Sequence, residues 1–254
     1  MLVTGQKRRI CVRFTTCLTA MALTFQISQA HAIEGGALAQ ANDQLARATV
    51  AVGTVLQPDA DLRFSQCSGA LIGPDLVLTA AHCVRDNPVG AAVLFYQGSR
   101  PVLSPYRVVA VSRYAFGPGR LASRDLADML NEISLDIAVL RLASPVRGRT
   151  PLRLAGNPQR IPSTLRLAGV GLSGRAAGTL KTATLKPLAI SETGLIIART
   201  VGARVCTGDS GGPVVIPGRN GPLLWGVASA VITPQAPCGT ILMIAPAKVG
   251  GQQS

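Results

Sequence analysis

His82 stands directly after an apolar run and beside a cysteine, in LVLTAAHC from Leu76 to Cys83. Asp136 lies at the mouth of a second apolar run, SLDIAVLRL from Ser134 to Leu142. A carboxylate in such a place is buried only when something pairs with it. Ser210 lies in CTGDSGGP, Cys206 to Pro213, among glycines that allow tight backbone turns. A serine hydroxyl is a weak nucleophile at neutral pH and needs a base within hydrogen-bond reach. An imidazole suits that task, and a carboxylate behind it sets the tautomer and stabilises the imidazolium. Backbone N–H groups of Gly208 and Ser210 are candidates to converge on a developing oxyanion, where losing one donor typically costs about 2.7–4 kcal/mol of barrier. Taken separately the three segments are ordinary, since a histidine after a strand, an aspartate at a turn and a glycine-rich loop all have structural uses. Their joint occurrence in the order His, Asp, Ser is not ordinary, and it differs from the order in α/β-hydrolases.

Such groups need a scaffold. The chain has 254 residues, of which 48% are hydrophobic, 15% charged and 4% aromatic. That composition can bury a core and excludes a disordered or low-complexity protein, while the length excludes a long multidomain assembly. Residues 1–32 read as a secretory signal peptide: Lys7, Arg8, Arg9 and Arg13 with no acid, an apolar run from Phe14 to Ile27 too short for a comfortable membrane span, then small Ala30 and Ala32. Four of the 25 basic residues and none of the 12 acids fall in this segment, leaving 21 basic against 12 acidic residues, a net +9. The basic residues are dispersed without a run or a set of stacking aromatics, which argues against nucleic-acid binding and for a solvated face. Cys67, Cys83, Cys206 and Cys238 remain after the signal, an even number that reads as disulfides with three possible pairings. A metal is disfavoured, because no cysteine pair has two-residue ligand spacing and His82 is the sole histidine after residue 32.

Short β-branched runs broken by glycine and proline fill the rest: 48–56, 69–78, 108–112, 135–142, 165–170, 195–199, 213–216 and 223–232. They predict a barrel or sandwich rather than alternating βαβ units. One helix is predicted over Ser123–Glu132, with Ser123 as cap and Leu126, Met129, Leu130 and Ile133 at helical spacing. Pro145, Gly148 and Pro151 interrupt the pattern and mark a linker near Ala143–Thr150.

TAAHC (Thr79–Cys83), DIAVL (Asp136–Leu140) and GDSGGP (Gly208–Pro213) together resemble the chymotrypsin/trypsin-like serine proteases, and more narrowly their secreted bacterial members, over residues 33–246. The resemblance implies an all-β fold of two six-stranded-type antiparallel β-barrels, 33–145 with the histidine and aspartate and 146–254 with the serine, and an active site in the cleft between them. It implies His82 as general base, Asp136 as its orienting partner, Ser210 as nucleophile, and Gly208 and Ser210 as oxyanion hole. It also implies the disulfides Cys67–Cys83 and Cys206–Cys238. Ser229 looks like the residue that borders the substrate main chain near the aspartate, and Gly169-Val170-Gly171 like a glycine-aromatic-glycine strand with valine at its centre.

In this family a new amino terminus folds inward and pairs with the aspartate before the serine; here the matching stretch is Ile33-Glu34-Gly35-Gly36, with Asp209 as partner. Because the signal cleavage site falls directly before Ile33, export itself is expected to free that ammonium. Arg204, two residues before Cys206, looks like the family's residue at the base of the primary pocket, where a trypsin-type enzyme has aspartate, so the resemblance implies no cleavage after Lys or Arg. The guanidinium is suited to an acidic side chain or to a carbonyl, and Val231 near the pocket wall suggests small residues. Glu34 replaces a customary aliphatic residue, the stretch between Asp136 and Ser210 is compact, and Lys248–Ser254 lacks the pattern of the family's C-terminal helix. The expectation is an exported, extracellular or periplasmic, monomeric serine endopeptidase without cofactor. It would act on protein or peptide substrates, be open to a protein inhibitor, and have no nucleic-acid partner and no stable membrane insertion. A catalytically inactive binding or adhesion protein of the same fold is the alternative.

Overall fold

The computed structural model describes residues 32–56, 63–84, 88–113, 126–156, 162–173, 176–232 and 238–247. Residues 1–31 of the predicted signal segment 1–32, the predicted Ser123 cap and the stretch 248–254 lie outside the described residues. Among the described residues, twelve principal strands form two barrels. In the first half these are β1 (Thr49–Leu56), β2 (Arg63–Leu71), β3 (Leu76–Thr79), β4 (Gly90–Gln97), β5 (Tyr106–Arg113) and β6 (Ala138–Leu142). In the second half they are β7 (Leu165–Gly169), β8 (Lys181–Ile190), β9 (Ile196–Thr200), β10 (Pro213–Ile216), β11 (Leu223–Ile232) and β12 (Ile241–Pro246). The first six pair in the order β1-β2-β3-β6-β5-β4 and close through β1–β4; the second six pair as β8-β7-β10-β11-β12-β9 and close through β8–β9. Closure removes the exposed sheet edges that either set would otherwise present. The fold is therefore all-β, two closed six-stranded antiparallel barrels.

Alternation decides these strands. In β6 the residues Ala138, Leu140 and Leu142 are buried while Arg141 faces out, and in β7 Leu165 and Leu167 are buried around exposed Arg166. The run predicted over 69–78 is in fact the end of β2, a turn at 72–75 and most of β3, because Gly73-Pro74 breaks the pairing that a single strand would need. Strand β8 carries Lys181, Lys186 and Pro187, which mask its periodicity, and Pro187 lies at an irregularity in its pairing with β9.

The barrels share an apolar face. One buried cluster runs from Val50, Leu78 and Leu140 of the first into Ala168, Val215, Leu224 and Val227 of the second, while a separate cluster around Leu167, Val214 and Ile244 fills the second barrel. Helix α1 (Gln44–Ala48) is capped by Asp43, whose Oδ1 accepts from the Leu45 N–H. Helix α2 (Leu126–Ser134) runs two residues beyond the predicted end. Its Ile133 packs with Leu195 and Met243, so the segment leading into Asp136 leans on the second barrel.

Candidate active site

Strand pairing explains why His82 and Asp136 meet. Thr79 of β3 faces Ala138 of β6 in an antiparallel register, so the residues just beyond Thr79 and just before Ala138 leave the barrel at the same end. His82 sits in a 3-10 turn, Ala81–Val84, and Asp136 follows α2. His82 Nδ1 lies 2.7 Å from Asp136 Oδ2, and the His82 backbone N–H donates to Asp136 Oδ1 at 2.9 Å. With its proton on Nδ1, the ring leaves Nε2 free to accept. Asp136 is 1% exposed. Burial pushes its carboxyl upward, but the His82 ring, the Ser229 hydroxyl and the His82 amide together hold it below the ordinary value.

The second barrel supplies the other half. Pro213 of β10 faces Val227 of β11, the Gly211 N–H donates to Ala228 O at 2.7 Å, and the Ala228 N–H donates to Gly212 O at 2.9 Å. This ladder sets Ser229 beside the Ser210 loop. The Ser229 hydroxyl donates to Asp136 Oδ2 at 2.5 Å, across the boundary between barrels. Cys83 Sγ lies 3.7 Å from His82 Nε2 and 3.9 Å from Ser210 O, so the imidazole and the serine backbone flank one sulfur. Among the described residues, the Ser210 hydroxyl makes no hydrogen bond to the ring. The N–H groups of Gly208 and Ser210 donate to no protein acceptor among those residues either, the condition a pair of oxyanion donors must meet.

Ser68, which no spacing in the sequence singles out, locks the loop in place. Its N–H donates to Ser210 O at 2.7 Å and its hydroxyl to Gly208 O at 2.9 Å, while it accepts from the Val170 N–H at 3.0 Å. Its own carbonyl accepts from Thr79 Oγ1 at 2.7 Å. Gly211 has φ +78°, and a Cβ there would stand 2.2 Å from Ser68 O and from Thr79 Oγ1, so only glycine fits.

Asp209 is fully buried and accepts from the N–H groups of Ile33 at 3.0 Å, Gly171 at 3.0 Å and Cys206 at 2.8 Å. Burial pushes its carboxyl up to about 7 against the opposing pull of those three donors and of Lys181. A Cβ on Gly169 would come 2.4 Å from Asp209 Oδ1, which accounts for glycine there. Arg204 pairs its backbone with Glu34, and its guanidinium bonds Glu34 Oε2 at 3.1 Å and Cys238 O at 2.9 Å. Val231 is partly buried against the second core. Both disulfides, Cys67–Cys83 and Cys206–Cys238, are formed. Among the described residues, two clusters bring metal-ligand atoms within 4.8 Å, Cys67 with His82 and Cys83, and Glu34 with Cys206 and Cys238. Their sulfurs are all spent in disulfides and offer no thiolate. Among the described residues, no helix is long and apolar enough to cross a membrane.

Residues 33–247 match the protein family described as Trypsin. Among curated proteins, the snake venom serine protease ussurase of Gloydius ussuriensis is 30% identical over 197 residues, covering 68% of this chain and 78% of its own length. The trypsin of Phaedon cochleariae is 29% identical over 188 residues, covering 65% and 70%. Kallikrein-1E2 of Equus caballus is 29% identical over 183 residues, covering 60% of this chain and 66% of that protein. Among solved structures, HL collagenase superposes with a TM-score of 0.63 at 24% identity, covering 84% and 93% of the two chains. The scabies mite inactivated protease paralogue S-D1 superposes at 0.62 with 17% identity, covering 84% and 92%. These two likenesses concern the fold. Across both barrels, this chain belongs to the trypsin family of serine proteases.

Proposed function

We propose that the chain is a secreted serine endopeptidase of the bacterial type that hydrolyses peptide bonds through an acyl-enzyme. The observation that carries this reading is the bonded set His82–Asp136–Ser229, which spans the two barrels beside Ser210. Ser210 Oγ attacks the scissile carbonyl carbon as His82 Nε2 takes its proton, and the developing oxyanion is met by the N–H groups of Gly208 and Ser210. The C–N bond then breaks, the amine leaves with the proton from His82, and water repeats the sequence to release the acid and restore Ser210. Asp136 keeps Nδ1 protonated and stabilises the imidazolium. No cofactor enters these steps.

In this reading residues 33–145 carry the base and its partner, and residues 146–254 carry the nucleophile, the oxyanion donors and the substrate-binding residues Arg204, Ser229 and Val231. Removal of residues 1–32 on export to the periplasm or the medium frees the Ile33 ammonium for Asp209. The protein acts as a monomer on proteins or peptides and is open to a protein inhibitor. The disulfides support an oxidising compartment.

A non-catalytic binding or adhesion protein of the same fold is the competing reading, favoured by the absence of a Ser210–His82 hydrogen bond and by the likeness to an inactivated paralogue. Catalytic hydrogen bonds are often long before substrate arrives, which lessens the first point. The processed protein is expected to react with a fluorophosphonate probe, and Ser210→Ala to lose that labelling. Failure of the correctly processed wild-type protein to label supports the binder and defeats the enzyme.

A further inference from the structure

Glu34 and Arg204 are joined three times over. The Glu34 N–H donates to Arg204 O at 2.9 Å, the Arg204 N–H donates to Glu34 O at 2.8 Å, and the side chains form an ion pair at 3.1 Å. The two backbone bonds make this a directly opposed antiparallel pair, so both side chains leave on one face. A second donor of the guanidinium is spent on Cys238 O, the far end of the disulfide that begins two residues after Arg204. The same short segment holds both ends of the serine loop. Ile33 meets Asp209, next to Ser210, and Glu34 meets Arg204, six residues before Ser210.

In the peptidase reading, where Arg204, Ser229 and Val231 bind substrate, the P1 side chain lies between the segment from Arg204 to Gly208 and the end of β11, which the Gly211–Ala228 and Ala228–Gly212 backbone bonds hold beside the serine loop. We infer that Glu34 is a specificity-determining residue: by holding and neutralising the Arg204 guanidinium, it denies the pocket a free cation and leaves it selective for small uncharged P1 side chains. This rests on the peptidase reading above. It also orders the two hints in the sequence, since the arginine that would invite an acidic side chain is already occupied by an acid of the protein itself. The pair is half exposed, at 45% for Arg204 and 56% for Glu34, so it restrains the arginine through geometry and local charge rather than through a large contribution to stability. Without the Glu34 carboxylate, the guanidinium keeps, among the described residues, only the Cys238 carbonyl as partner and becomes available to an acidic P1 side chain.

The test compares kcat/KM of the processed protein on matched peptides with P1 Ala, Asp, Glu and Lys. Wild type is expected to favour Ala over Asp and Glu. Glu34→Gln is expected to raise the acid-to-Ala ratio by about tenfold, the scale of one charge-assisted hydrogen bond. Arg204→Ala in that background should abolish the gain, and Glu34→Asp should keep the wild-type ratio. A merely structural role for Glu34 would lower all substrates together and leave the ratio unmoved. A ratio unchanged in Glu34→Gln, a wild type already favouring acidic P1, or loss of fluorophosphonate labelling in Glu34→Gln alone would each overturn the inference while the peptidase reading stands. A wild type that does not label overturns the peptidase reading and this inference with it.

Discussion

In the full chain Ile33 N is a peptide amide, so Asp209 is buried with three neutral donors and, among the described residues, no ion-paired cation. Its carboxyl is pushed up to about 7. An unfolded aspartate titrates near 3.9, so between about pH 4 and pH 7 the folded protein holds a proton that the unfolded chain has released. Stability from this group is therefore fully present below about pH 4 and is lost as pH rises through 7. Three pKa units at 1.36 kcal/mol each make the loss about 4 kcal/mol. Cleavage before Ile33 replaces the amide with an ammonium 3.0 Å from Oδ2, which favours the ionised carboxylate and removes the penalty. Urea unfolding at pH 4 to 8 compares a chain that begins at Ala30, a chain that begins at Ile33, and Asp209→Asn in the Ala30 background. The first is expected to lose about 4 kcal/mol more than the other two over that range. Equal pH slopes in all three chains would refute the account of Asp209.

Two further outcomes follow from contacts across the barrel boundary. Ser229→Ala removes one donor from buried Asp136 Oδ2 and is expected to lower kcat/KM by about tenfold, the cost of one lost bond to a charged group. It should also raise the Asp136 pKa, so that stability held above the unfolded value is lost at a higher pH on acidification, read from acid unfolding midpoints. Gly211→Ala places a Cβ 2.2 Å from Ser68 O at φ +78° and is expected to cost at least about 2 kcal/mol, measured by urea unfolding; a smaller cost would mean that the loop has slack the structure does not show.

The chemistry-bearing residues of the chain, and its barrel class, are written locally. His82 follows an apolar strand, Asp136 precedes one, and glycines surround Ser210, because strand ends, turns and tight loops demand those residue types within a few positions of the reactive group. Strands β6, β10 and β11 were legible as short β-branched runs bounded by turn residues, with buried alternation in β6 and nearly continuous burial in β10 and the first part of β11. Strand β8 was not, because lysines and a proline on a partly exposed strand break the period on which such a reading depends. Ser68 was equally hidden: it lies 140 residues from Gly208 in the chain, and no local pattern records a hydrogen bond over that separation. The resemblance placed Arg204 near the substrate, yet only packing brings it against Glu34, 170 residues away. Residue types and short-range order were thus set by the sequence itself, whereas partners and charge balance were decided by register and barrel closure. Those depend on the whole chain burying its apolar faces at once.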